Sequence, residues 1–154
     1  MKFKLLLLAG LTSLAACTEK ASIPLSAKEL TNQSLEGTWK LVSSEVTTGA
    51  KTEVTFPVKG QEMIKIFNDT HFAFFKHDIA KGVTPIYGSG AGTFSLKGDQ
   101  YQEHLEYCNA REWENKDFKF TLTLKNDTLT QKGIEKIDSL KVNQEIVEKY
   151  TKLK

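Results

Sequence analysis

The chain has 154 residues, 21 of them basic and 19 acidic. Setting aside Lys2 and Lys4 at the extreme N-terminus leaves 19 basic residues against 19 acidic ones. That balance gives no electrostatic case for nucleic acid or for a charged membrane patch, and the length suits one domain with a real core.

Two lysines in Met1-Lys2-Phe3-Lys4 precede an apolar run from Leu5 to Leu14, broken only by Gly10, Thr12 and Ser13. Such a run is too short to cross about 30 Å of hydrocarbon as a permanent helix and reads as the core of a signal peptide. Leu14-Ala15-Ala16-Cys17 follows. Small residues fit the narrow peptidase pocket before the cleaved bond, and this tetrapeptide looks like a lipobox, with Cys17 taking the lipid. Residues 1–16 are therefore expected to be a lipoprotein signal peptide and 17–36 a lipid-anchored tether. Residues 37–154 are then a domain held at the cell membrane or outer membrane of a bacterial envelope. The tether is small and polar, with room for a short helix at 26–30. With Cys17 lipidated, Cys108 has no partner in the chain; it reads as a small apolar residue near a strand end.

From Gly37 onward the pattern is strand after strand. Eight are expected: 37–46, 61–67, 71–78, 90–97, 100–107, 117–125, 128–136 and 142–152. Alternation is clearest in the sixth, where Phe118, Phe120, Leu122 and Leu124 share one face and Lys119, Thr121, Thr123 and Lys125 the other. In the third strand the phase is ambiguous. Phe72 and Phe74 make one inner face, and His71, Ala73, Phe75 and His77 make nearly as good a one.

Asn68-Asp69, Lys97-Gly98-Asp99 and Asn126-Asp127 are tight hairpin signals, since Asn, Asp and Gly tolerate positive φ. The connections 47–60, 79–89 and 108–116 are longer. Short and long loops alternate, so in an up-and-down antiparallel sheet the tight turns close one end and the long loops rim the other. The expected fold is all-β, an eight-stranded up-and-down antiparallel barrel with an interior for at most one small ligand.

Gly37-Thr38-Trp39-Lys40-Leu41 resembles the Gly-x-Trp signature of the lipocalin first strand. Gly90-x-Gly92-Thr93-Phe94, followed by Gly98-Asp99-x-Tyr101-x-Glu103-His104-Leu105-Glu106-Tyr107, looks like an uncharacterised lipocalin-like family of bacterial lipoproteins. The resemblance covers about residues 35–154. It implies the barrel fold and carries over no site residue. Trp39, at the start of the first strand, belongs at the tight-turn end, where it plugs the barrel.

Other constellations give no positive case for catalysis, although paired carboxylates for acid–base work can come from any two strands. His104 and Cys108 are about 13 Å apart along one strand, and His71 and His77 about 20 Å, too far for one zinc ion without a cross-strand meeting. Gly88-Ser89-Gly90-Ala91-Gly92 leads into a strand and lacks the Lys-Ser/Thr of a phosphate loop, so it reads as a flexible approach to that strand. Asn32-Gln33-Ser34, Asn68-Asp69-Thr70 and Asn126-Asp127-Thr128 match the glycosylation sequon but read as linker and turn residues. No serine sits in a nucleophile elbow. No catalytic residue, cofactor or metal is assigned.

The expected function is non-catalytic binding of a small apolar or amphipathic ligand inside the barrel. Phe72, Phe74, Phe94, Tyr101, Tyr107, Phe118 and Phe120 are candidate lining residues. Tyr101, Glu103, Leu105 and Tyr107 share the less polar face of their strand, which puts Glu103 inside. There it is a solvated group, a structural partner of a lysine such as Lys76, or a ligand contact. Arg111, the single arginine, lies two residues before Trp113 in a rim loop; the two either meet an anionic ligand or pack on the surface. Tyr87, His77 and Tyr107 complete the expected rim. The competing reading is a structural or interaction lipoprotein whose barrel is filled by the same aromatics, and an enzyme is the third choice.

Overall fold

A computed structural model describes residues 30–82 and 86–154. The signal segment, Cys17, most of the tether and the helix expected at 26–30, apart from Leu30, lie outside the described residues.

The described chain opens with a single helical turn, α1 (Asn32–Leu35), and continues into nine strands. They are β1 (Gly37–Thr48), β2 (Lys51–Phe56), β3 (Gln61–Phe67), β4 (His71–Asp78), β5 (Tyr87–Lys97), β6 (Gln100–Cys108), β7 (Lys116–Lys125), β8 (Thr128–Ile137) and β9 (Val142–Lys152). Neighbours pair antiparallel from β3 through to β9, and β9 returns to β1 over Trp39–Thr47. This closes an eight-stranded up-and-down barrel of β1 and β3–β9. Closure gives each of these eight strands a neighbour on both sides, and β2, paired with β1 alone, keeps one free edge.

Strands expected at 61–67, 71–78 and 142–152 have those bounds, and the other five extend by one to three residues at one end. β2 is the exception, because it lies in a stretch read as loop. Five of its six residues are exposed and only Phe56 is buried, so it shows no apolar alternation. What orders it is its ladder to the second half of β1, Ser44–Thr48, closed by a turn at Gly49 with φ 60°. The first half of β1, Gly37–Lys40, pairs instead with β3. The wall beside β1 is thus made of two successive strands with a seam between them at residues 57–60.

The tight turns and long loops take opposite ends, as the antiparallel order requires. Residues 68–70, 98–99 and 126–127 close the lower end, together with the start of β1 and the end of β9. The end of β4 and the start of β5, the loops 109–115 and 138–141 and the turn into β2 lie at the upper end.

At the lower end α1 acts as a plug. The Thr31 side chain accepts a hydrogen bond from Ser34 N and caps the turn. Leu35 is completely buried, and its carbonyl accepts a 2.7 Å bond from Trp39 Nε1–H. The last residues of the expected tether therefore belong to the folded body. Above this plug Phe67, Phe94, Tyr101 and Phe120 pack edge-on, tilted or stacked, with ring centroids 5.4–6.3 Å apart.

Gly88, Gly90 and Gly92 all lie within β5, so this stretch is part of the strand, not a flexible approach to it. A Cβ on Gly90 would stand 2.6 Å from the Phe74 ring, and one on Gly92 only 1.9 Å from the His104 carbonyl oxygen. Close approach of side chain and backbone, rather than turning, is what requires glycine there.

Candidate functional site

Inward-facing positions on β3, β6 and β8 meet midway up the barrel. Lys65, Glu103 and Gln131 are all buried there. Lys65 Nζ donates to Glu103 Oε1 and, at 2.9 Å, to Gln131 Oε1. Tyr101 OH donates to the same Glu103 oxygen at 2.8 Å. The ammonium also lies 5.0–5.4 Å from the centroids of Phe67, Phe72 and Tyr101, so its remaining faces meet aromatic rings. Burial first, and the Glu103 charge second, push the Tyr101 hydroxyl well above its ordinary range, so it stays a donor. Glu103 thus points inward as its strand phase predicts. Its partner is Lys65 on β3, not Lys76.

Above this knot the aromatic filling gives way. A half-open cavity of about 210 Å³ lies against the seam between β2 and β3, walled by β1, β2, β3, β4, β8 and β9. Leu41, Val46, Phe56, Met63 and Ile146 supply its apolar surface. Ser44, Thr55, Lys76, Glu135, Gln144 and Glu148 supply the polar one. A β-bulge places Ser44 there: the β1–β9 register shifts between Leu41 and Ser43, so Val42 is exposed and Ser44 buried.

The two carboxylates of this cavity come from neighbouring strands. Glu135 stands opposite Gln144 in the β8–β9 ladder and accepts a 2.8 Å bond from its Nε2. Glu148 accepts a 2.6 Å bond from Tyr150 OH. Desolvation raises Glu135 from 4.5 to about 7, opposed mainly by the Gln144 bond. Desolvation also raises Glu148, opposed by the Lys65 charge and the Tyr150 bond. The folded state keeps the Glu135 proton up to about pH 7, whereas an unfolded chain releases it near 4.5. The fold therefore loses stability as pH rises through that window. Among the described residues, Lys76 makes no ion pair with either carboxylate.

None of the twelve expected ligand contacts lines this cavity. Phe72, Tyr101, Glu103, Phe118 and Phe120 are buried, and Phe74 and Phe94 pack against them, so these seven fill the barrel. The phase of β4 is settled with Phe72 and Phe74 inside, which leaves His77 exposed on the outer wall opposite Glu62. Tyr87, across from His77, is also exposed. Tyr107 is turned outward by a bulge: Gly92 pairs with Leu105 but Ala91 with Tyr107, so Glu106 is the extra residue. Beyond it Tyr107 is 66 % exposed, while Cys108 turns in toward the core. Arg111 and Trp113 form a 3₁₀ turn but do not act together. Trp113 packs on Phe118, with centroids 5.9 Å apart. Arg111 extends outward, and its Nε–H donates to Glu114 at 2.7 Å. That bond and the Cys108 N–H, the stronger influence, hold the Glu114 carboxyl below its usual range. Tyr107 and Arg111 instead share a dent on the outer wall with Phe75 and Ser89.

The closed barrel, its interior strand phases and the Gly-x-Trp start of β1 are now accounted for, and a family model agrees with them. The model described as a lipocalin-like domain matches residues 35–130. The chain belongs to this lipocalin-like family. No curated protein matches it. The lipocalin-like match runs from the plug at Leu35 into β8 and stops before Glu135, Gln144 and Glu148. Those cavity residues carried a signal of their own. On β9 the inward series Val142, Gln144, Ile146, Glu148, Tyr150 interleaves polar with apolar residues, and on β8 Leu129, Gln131, Gly133, Glu135, Ile137 does the same. Polar side chains in phase with core residues on adjacent strands mark a wet or charged interior.

Proposed function

We propose that this lipocalin-like protein is a non-catalytic envelope lipoprotein that holds one small amphipathic molecule in the upper half of its barrel. The half-open cavity of about 210 Å³ carries this reading. In a barrel whose lower half is solid with aromatic rings, a cavity with both apolar and charged walls suits a ligand with one apolar and one polar part. The lining differs from the aromatic one expected from sequence, and the ligand is correspondingly less apolar.

Mass spectrometry of small molecules extracted from the full chain, purified from its own cells, tests the proposal. A ligand is expected to co-purify with the parent chain and to be absent from an Ile146→Trp variant, whose indole fills the cavity. Empty protein from native membranes, or equal recovery from the variant, would count against the site. A second reading, docking of a protein on the outer wall, draws on the exposed Tyr87 and Tyr107 beside Phe75.

The anchor is proposed on the signal segment and Leu14-Ala15-Ala16-Cys17. Acyl chains gathered at one cysteine suffice for stable anchoring, since two chains already hold a protein on a bilayer. Cys17→Ser is expected to lose fatty-acid labelling and to leave the membrane fraction or remain unprocessed. Normal labelling of that variant would end the lipoprotein reading.

A further inference from the structure

The charges around the cavity do not balance. Lower in the barrel Lys65 is committed to Glu103. The cavity wall then holds two carboxylates, Glu135 and Glu148, against one ammonium, Lys76. Both carboxylates already receive one neutral hydrogen bond, from Gln144 and Tyr150, and neither has a cation in contact among the described residues. The other groups that face them are Tyr101 on β6, which is bound to Glu103, and the uncharged Ser44 and Thr55 on β1 and β2. A low-dielectric interior does not hold an excess negative charge cheaply. A single positive charge brought in with the ligand corrects the imbalance. The apolar remainder of the cavity, with Met63 and Ile146, asks that this charge be attached to a short hydrocarbon.

We propose that the ligand is a small organic monocation, an ammonium carried on a short aliphatic or aromatic body, received between Glu135 and Glu148. This rests on the reading that the cavity holds a ligand. In the empty protein a proton does the balancing, and Glu135 is the group that holds it near neutral pH. The incoming ammonium displaces that proton. Binding therefore strengthens as pH rises through about 7, because the ionised carboxylate is the form that accepts the cation.

The test is calorimetric titration of the full chain in detergent with n-butylammonium, n-butanol and butyrate, three probes of one size and different charge. The ammonium is expected to bind at least tenfold more tightly than the other two, and to bind more tightly at pH 8 than at pH 6. At pH 6 it should release close to one proton, read from buffers of different ionisation enthalpy, and at pH 8.5 almost none. Glu135→Gln should abolish the release and weaken butylammonium about tenfold, and its unchanged urea midpoint or better would show that the fold is intact. Glu148→Gln, the second variant, should lose the preference for the ammonium as well. Equal or tighter binding of butanol or butyrate would overturn the charge assignment and leave the cavity reading standing. Failure of all three probes would overturn it too. Failure of the cavity reading itself would show separately, as an empty protein in the extraction experiment.

Discussion

Lys65→Met is expected to destabilise the fold by about 3–5 kcal/mol, the usual cost of removing one partner from a buried ion pair. The Lys65 side chain is 4 % exposed and that of Glu103 9 %. Without the ammonium, the Glu103 carboxylate keeps only the Tyr101 hydroxyl and loses its countercharge. Gln131 loses its donor as well. Methionine matches the volume of the lysine stem, so packing against Phe67 and Phe72 survives and the loss reads as electrostatic. Urea unfolding measures it as a lower midpoint at unchanged slope. Lys65→Met combined with Glu103→Leu should regain much of the stability, because both charges then leave together. A single variant as stable as the parent chain would mean that the pair is hydrated and adds no constraint. A double variant no better than the single one would place the cost in packing.

Trp39→Ala is expected to cost about 3–5 kcal/mol, in the range of large aromatic truncations in a core. The indole is 1 % exposed and joins three things at the lower end. Its Nε1–H holds the Leu35 carbonyl, its ring packs in the barrel, and the Lys152 ammonium sits 5.2 Å over its face. Removing the ring leaves Leu35 without its partner and opens a void under the aromatic stack. Trp39→Phe should cost less, about 1–2 kcal/mol, since it fills most of the space and loses chiefly the hydrogen bond. Thermal and urea unfolding give both values. Because the cavity lies in the other half of the barrel, binding of n-butylammonium to folded Trp39→Phe should match that of the parent chain. Weakened binding with unchanged stability would put Trp39 in the site instead.

These experiments separate a framework from a site, and the two were unequally legible in the amino-acid sequence. The all-β class, the alternation of tight turns and long loops and the eight barrel strands followed from local chemistry. Positive-φ residues mark hairpins, and period-two alternation marks a half-buried strand. For the same reason Glu103 could be placed inside: it shares its phase with Tyr101 and Leu105 on one uninterrupted stretch of strand.

What depended on neighbours distant in the chain was not legible. β2 is ordered by its ladder to β1 and buries almost nothing, so it leaves no apolar pattern to read. The bulge at Glu106 is an event of pairing with β5, and it reverses the phase of Tyr107 and Cys108 without any local mark. Lys65 sits between Ile64 and Ile66, which look like the inner face. Phe67 and Met63, in phase with Lys65, turn in instead, and Glu103 and Gln131, 38 and 66 residues away along the chain, make the ammonium's position tenable. Whether the barrel is filled or hollow is likewise a sum over all its strands. The aromatic side chains fill the lower half, and the cavity opens where β3 parts from β1 and Glu135 and Glu148 face it from β8 and β9. The sequence by itself determined the barrel and the tight turns and Trp39 of its lower end, though not the α1 turn packed there, because short-range turn and strand chemistry suffices for those. Only the tertiary structure decided the site, because a cavity and its charge balance exist only between strands that closure brings together.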